Sequence, residues 1–364
     1  MKKELERIGL LSMKGNFDKK LGKGPQRYAY ELYNNIYKLA KSKNIEIDKI
    51  EIGFGNTDIH HKISFTIMVP FKNLLKYDII HLPAPIMFRP PLLKERRLIT
   101  TVHELVVVPK RHILYRKDNQ SLYDIFNPNL IINEKIKNQI LSSDYIIAVS
   151  KQAKREIVGS GYPADRVVVI NNGVGDEFIS TAIPKKRKHK RFIVGYIGAL
   201  NPRKNVSFAI EAFRYIKNKN IVFEIWGGKS GSTYKKLENQ AVSDSRIKFM
   251  GFAPESKLIK IYDRFNVFVF PSVYESHSLT ILEARARGLP IILNGKGTLS
   301  EENKKYCFNA ASPKHMAKII EDIYKNGYDK ETRRRALRYA HKLTWEECAL
   351  ETIKFYKKVI FDNF

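Results

Sequence analysis

The sequence predicts an α/β protein of two Rossmann-like domains in tandem, and three observations carry that expectation. Short β-branched runs alternate with longer helical or loop stretches, the pattern of βα units on a parallel sheet. The alternation restarts after residue 191, just beyond a dense cationic run. The chain is 364 residues long, more than one hydrophobic core usually serves at roughly 100–200 residues per domain.

Taken in order, the first-half strands fall at Ile45–Ile52, Tyr77–His81, Leu98–Val102, Tyr145–Val149 and Val167–Ile170, behind a helix at Tyr28–Lys41. In the second half, strands at Phe192–Ile197, Ile221–Trp226, Ile247–Met250, Val267–Phe270 and Pro290–Leu293 alternate with helices at Ser207–Lys217, Tyr234–Gln240, Glu255–Phe265 and Leu279–Arg287. Pro313–Tyr324, Lys330–Leu343 and Trp345–Ile360 carry apolar residues at three- and four-residue spacing and read as helices. The domains are expected at 1–180 and 192–345, joined by a basic linker at 181–191.

Composition narrows the class. With 43% hydrophobic and 28% charged residues, the chain is neither disordered, collagen-like nor a coiled coil. Its two cysteines, Cys307 and Cys348, cannot build a disulfide framework or a cysteine zinc site, which fits a reducing compartment. The opening MKKELERIGLLSMKGNFDKK has two lysines and a short apolar run, but charges return at once and no small-residue cleavage site follows. No stretch approaches the ~18 apolar residues of a membrane span, so the protein is expected to be soluble, cytoplasmic and unprocessed.

Lys plus Arg number 65 against 37 Asp plus Glu, a net charge of +28, and such a field favours polyanionic partners. Both halves are basic, and the densest run is Lys185–Arg191. It reads as a solvated linker, or as a contact with an anionic surface or nucleic acid. Arg27, Lys110, Arg111, His112, Arg116 and Lys117 add positive charge to the first domain, either as solvated surface or for docking to an anionic membrane that holds a lipid-linked acceptor. Nucleic acid is the less favoured partner, because no aromatic-interleaved basic motif, zinc-finger spacing or helix-turn-helix is present.

The chemistry concentrates in Phe270–Pro290. A strand ends at Phe270, a loop carries Glu275, and a helix starting near Ser278 contains Glu283. Amides at that helix start, those of Ser278, Leu279 and Thr280, together with the helix dipole, form a site for a diphosphate. Glu275 then faces the group on the distal phosphate. Glu283, over a turn inside, reaches the ribose hydroxyls, since a carboxylate can accept from two vicinal OH groups. The bland alternative is a loop glutamate near a helix dipole and a surface glutamate paired with an arginine. Arg203 and Lys204 sit in a turn after a strand, where two cations can neutralise charge on a departing diphosphate.

The Glu275 to Glu283 segment resembles the E-x7-E motif of retaining glycosyltransferases of family four, which have the two-Rossmann GT-B fold. Flanking stretches are similar in the same order: Ser143–Ser150, Val168–Val174 with Phe178, Gly195–Asn205, Gly251-Phe252 and Thr344–Glu346. The resemblance implies two domains facing across a cleft, with a C-terminal helix over 346–364 crossing back to the first. It implies that the second domain holds a UDP- or GDP-linked sugar as donor substrate and that the first holds an acceptor, lipid-linked or otherwise. Lys204 matches the family's phosphate-binding lysine. Gly24, within Gly22–Arg27 ahead of the first helix, matches the family's glycine-rich loop, although Lys23 stands where a second glycine is usual. His103, just past a strand, matches the histidine at the carboxyl edge where open α/β sheets bind ligands and is expected to hydrogen-bond a sugar hydroxyl. His60, His61, His81 and His112 have no such setting.

Two departures stand out. Ala199 replaces a frequent arginine, for which Arg203 is a candidate substitute, and Ser276-His277-Ser278 replaces the common Gly-Phe-Gly. The expected activity is hexose transfer with retention, with Glu275, Arg203, Lys204 and His103 in the chemistry. No cofactor is expected, and no metal, because there is no Asp-x-Asp run and cations and amides meet the phosphates. The rivals are a basic nucleic-acid-binding protein and a catalytically degenerate glycosyltransferase-like protein.

Overall fold

The computed structural model describes residues 6–13, 17, 24–52, 74–85, 97–104, 136–183, 191–229 and 231–361. They form two compact units, one of residues 1–171 with 346–364, the other of residues 172–345.

The first unit is built on a six-stranded sheet of β1 (Glu6–Met13), β2 (Ile45–Ile52), β3 (Ile79–Leu82), β4 (Arg97–Val102), β5 (Tyr145–Ala148) and β6 (Val167–Val169). Their order is β2-β1-β3-β4-β5-β6, every neighbouring pair parallel. β3 and β5 are buried at every position, the near-continuous apolar pattern of parallel strands covered on both faces. Helix α1 (Gly24–Lys43) and the C-terminal helix α11 (Trp345–Phe361) meet where the Lys357 ammonium donates to the Lys43 carbonyl at 2.8 Å. β1 is absent from the expected strands, because its four hydrophobic residues lie between charges. Gly24, expected in a loop, is the first residue of α1, and Arg27 is buried on that helix rather than a surface cation.

The second unit repeats the plan. Strands β7 (Phe192–Ile197), β8 (Ile221–Trp226), β9 (Ile247–Gly251), β10 (Val267–Phe270), β12 (Ile291–Asn294) and β14 (Phe308–Ala310) stand in the order β14-β12-β10-β7-β8-β9, again all parallel. With α2 (Lys151–Gly159) in the first unit, the helices that interleave here are α3 (Asp176–Ser180), α4 (Val206–Phe213), α5 (Gly231–Ala241), α6 (Leu258–Arg264), α7 (Leu279–Ala286), α8 (Glu301–Lys304), α9 (Pro313–Asn326) and α10 (Lys330–His341). The expected helix Glu255–Phe265 splits into a 3-10 turn, Glu255–Lys257, followed by α6. Gly195 lets β7 pass close to Phe265, whose ring a Cβ would meet at 2.2 Å.

The units divide after Asn171 rather than after residue 180. Three contacts pin 172–182 to the second unit. Arg287 is buried and bidentate to Asp263 at 2.8 and 2.9 Å, and its remaining N–H groups donate to the carbonyls of Phe178, Thr181 and Ala182. The Val174 amide donates to the Leu343 carbonyl at 2.8 Å. Gly173 lies so near the same stretch of backbone between two helices that a Cβ would sit 2.2 Å from the Trp345 nitrogen. Of the basic run, Lys185–Lys190 lies outside the described residues, as do Lys110, Arg111, His112, Arg116 and Lys117. Among the described residues no helix is long and apolar enough to cross a membrane.

Candidate active site

Strand order locates the site. In the second sheet the chain runs outward through β7, β8 and β9, then returns to add β10, β12 and β14 on the other side, so β7 and β10 flank the reversal. Ligands of open α/β sheets bind beyond the carboxyl ends of strands at such a reversal. β7 leads into the turn with Arg203 and Lys204; β10 leads to Glu275.

The turn after β7 is shaped by two asparagines. Asn201 caps the 3-10 segment Pro202–Lys204, its side-chain oxygen accepting from the Lys204 amide at 3.1 Å, and Asn205 takes a left-handed conformation with φ 48° before α4 begins. The Tyr196 hydroxyl beneath donates to the Ala199 carbonyl at 2.8 Å, and burial pushes its ionisation well above the ordinary tyrosine range. The turn is stitched to the β10 side by the Val273 amide, which donates to the Arg203 carbonyl at 2.9 Å.

Glu275 sits in a short strand, β11 (Tyr274–Glu275), paired in parallel with β13 (Thr298–Leu299), rather than in a free loop. Its Oε1 atom takes Arg203 Nη1 at 2.9 Å, Lys204 Nζ at 2.5 Å and the Ser272 hydroxyl at 3.0 Å. Oε2 has no hydrogen-bond partner among the described residues. The carboxylate and ammonium are largely buried, at 10% and 13% side-chain exposure, and Lys204 Nζ stands 4.8 Å from the centre of the Phe270 ring. Two cations thus share one carboxylate, whose second oxygen is left for another donor.

The segment from Glu275 to the helix is held by Asn303, a residue with no visible sequence signal. Its amide nitrogen donates to the carbonyls of Glu275 and Ser276 at 3.2 and 3.1 Å, and its oxygen accepts from the Ser278 amide at 3.0 Å. The Ser278 amide is therefore occupied, contrary to the expected open trio. Ser278 instead caps α7, its hydroxyl accepting from the Ile281 amide. The amides of Leu279 and Thr280 have no acceptor among the described residues. Ser276-His277-Ser278 needs no glycine, since none of the three has positive φ. Asn172 fixes the His277 carbonyl at 3.0 Å, and burial drops the imidazole to a pKa of about 3.

Glu283 is not a surface residue: it lies buried on α7 and accepts from the Tyr262 hydroxyl at 2.8 Å. Arg203, Lys204 and Glu275 form one cluster, with the α7 amides following it in the chain. In the first unit, β1 and β3 flank the corresponding reversal. Gly24 is exposed at the head of α1, where a Cβ would meet nothing within 4 Å. His103 follows β4, half-buried, its Nε2 2.9 Å from the Pro83 carbonyl. Burial lowers its pKa to about 4, so the ring is neutral, with N–H at Nε2 and an accepting Nδ1.

Two family models match consecutive stretches: the glycosyltransferase family 4 model over residues 27–178 and the group 1 glycosyl transferase model over 179–343. The chain belongs to glycosyltransferase family 4. This family 4 enzyme is 24% identical over 284 residues to the O-antigen chain mannosyltransferase B of Escherichia coli, covering 72% of this chain and 70% of the relative. It is 25% identical over 291 residues to the D-inositol 3-phosphate glycosyltransferase of Corynebacterium glutamicum, covering 72% and 67%. Among solved structures, sucrose-phosphate synthase of Thermosynechococcus elongatus superposes with a TM-score of 0.76 at 17% identity over 98% of this chain and all of the other. Anabaena HepE in complex with UDP and glucose gives 0.69 at 16% identity over 97% and 100%. The fold is GT-B, and the protein is a glycosyltransferase.

Proposed function

We propose that this glycosyltransferase moves a hexose from a UDP- or GDP-linked donor to an acceptor hydroxyl with retention of anomeric configuration and without a metal. The observation that carries the reading is the convergence of Arg203, Lys204 and Ser272 on one oxygen of Glu275, with the other oxygen unpartnered among the described residues. Arg203 and Lys204 stabilise the leaving diphosphate, and the amides of Leu279 and Thr280 bind it at the helix start. Arg203, through its contact with Glu275, stands in for the arginine missing at Ala199. Glu275 Oε2 accepts from a hydroxyl of the transferred sugar; His103 Nδ1, in the first unit, accepts from a sugar hydroxyl. Glu283 belongs at the ribose, with Tyr262 orienting it. Gly24 leaves the head of α1 uncrowded for sugar or acceptor.

In the reaction the bond from the anomeric carbon to the phosphate oxygen breaks, the acceptor oxygen bonds to that carbon on the same face, and its proton passes to the departing phosphate. Charge develops on the diphosphate, where fixed cations lower the barrier more than they strengthen ground-state binding. Glu275, clamped by three donors at Oε1, serves as a hydrogen-bond acceptor rather than a nucleophile. UDP in the HepE complexes and mannosyl transfer by the Escherichia coli relative support a nucleotide-sugar donor. The net charge of +28 supports a lipid-linked acceptor reached from the cytoplasmic face of an anionic membrane. The test is incubation with a panel of UDP- and GDP-sugars, with the anomeric configuration of the first product read by proton NMR coupling. Inversion, or turnover that requires a divalent cation, would refute the mechanism.

A further inference from the structure

Below His103, four polar side chains lie fully buried in the first unit: Tyr356, His81, Thr101 and Tyr28. The Tyr356 hydroxyl is 2.6 Å from His81 Nδ1, His81 Nε2 is 2.8 Å from the Thr101 hydroxyl, and Thr101 is 3.1 Å from the Tyr28 hydroxyl. The array starts on α11, crosses β3 and β4, and ends on α1. We infer that these four are positioning residues for His103, so that the hydrogen-bond geometry at the end of β4 is set from the C-terminal helix.

Placement carries the inference. Thr101 lies one residue before the end of β4 at Val102 and two before His103. His81 lies two residues before Pro83, whose carbonyl holds the His103 ring. Both anchors of the array therefore sit directly upstream of the two groups that fix the imidazole. The third constraint is Tyr28, whose ring meets that of His103 edge-on at 4.7 Å and 81°, while its hydroxyl is tied to Thr101. Tyr28 is also one turn beyond Gly24, so the array sets the first turn of α1 as well. Aromatic and aliphatic groups could fill this face without desolvating three hydroxyls and an imidazole; a fully satisfied buried polar network instead specifies a single geometry. Every hydroxyl here has a partner, and the neutral His81 ring bridges two of them.

The claim deepens the reading of His103 as an acceptor for a sugar hydroxyl and rests on it. The test compares Tyr356→Phe and Tyr28→Phe with the packing control Phe355→Leu in the full chain. Each is measured for binding of UDP and GDP, for kcat and KM on the sugar donor, and for the ring-nitrogen NMR shifts of His103. A misplaced catalytic-site contact can cost about tenfold or more in rate, so each Tyr→Phe variant should lose kcat on that scale. Nucleotide affinity, a property of the second unit, should stay unchanged, and the His103 shifts should move toward tautomer averaging. Unchanged kcat and ring shifts in both Tyr→Phe variants would overturn the inference. So would an equal kcat loss in Phe355→Leu at the same loss of melting temperature. A wild-type enzyme that turns over no donor would count against the transfer reading, while the His103 shifts would still decide the positioning claim.

Discussion

Replacing Glu275 by glutamine should weaken the empty protein and tighten its hold on nucleotide at the same time. The carboxylate is the shared acceptor of Arg203 and Lys204. Lys204, at 13% side-chain exposure, loses a charge-assisted hydrogen bond worth about 1.5–3 kcal/mol. Arg203 is 37% exposed and solvent screening leaves it only about 0–1 kcal/mol. The expected loss is therefore about 2–3 kcal/mol, or roughly 5–10 °C for a unit of this size. A diphosphate no longer competes with the carboxylate for either cation. Two unit charges about 4 Å apart near a protein surface attract by about 4 kcal/mol before desolvation, so a surplus of at least ~1.4 kcal/mol, tenfold in affinity, is a conservative expectation. Calorimetric titration with UDP and GDP, beside melting curves with and without nucleotide, reads both effects. Glu275→Gln should melt lower alone, gain more from nucleotide than wild type, and fail in transfer. Unchanged or weaker nucleotide binding would refute the idea that carboxylate and phosphate compete for the same cations.

Three further outcomes are expected. Lys204→Met should weaken nucleoside diphosphate binding by at least ~1.5 kcal/mol, seen in the same titration, and chelator should leave wild-type binding unchanged. Acid should destabilise the fold earlier than carboxylates alone would. His81, His103 and His277 have pKa values of about 3, 4 and 3, below the unfolded value of about 6.5, so the unfolded chain binds more protons as pH falls below 6.5, and each histidine withdraws about 1.4 kcal/mol per pH unit until its folded pKa is reached. Urea denaturation from pH 7 to pH 4 measures the slope; a flat profile would contradict the three neutral rings. Anionic liposomes should sediment the protein at low salt and release it as the Debye length shrinks to about 8 Å near 0.15 M, whereas a duplex DNA gel shift without liposome binding would remove the membrane proposal.

The sequence carries the strands well where burial on both faces makes them uninterrupted, as in Val267–Phe270 and Ile291–Asn294. β1 escaped because its apolar stretch follows basic residues and is too short to stand apart from a leader-like start. The ladder of β11 and β13 joins residues more than twenty positions apart with two residues each, which no local periodicity encodes. Arg203 and Lys204 stood out by their place in a turn after a strand and Glu275 by its motif, but not that one carboxylate pairs with both cations. Asn303 and the Ser278 amide show the same limit, since which donor takes which acceptor is decided only once the chain is folded. His81 had no setting in the sequence because its partner Tyr356 lies 275 positions away.

The return of α11 to the first unit also bears on the order of assembly during synthesis. Residues 172–345 are contiguous, so the second unit has its whole sheet and its covering helices once residue 345 has left the ribosome. The first unit begins earlier but must wait for α11 before the His81 face of its sheet is covered. Domains usually complete in order from the N-terminus; here the later unit is the first able to close. Until then, the nascent sheet has His81 without Tyr356 and Arg97 without the Ile360 carbonyl, so this polar face is completed only by the last helix to be made.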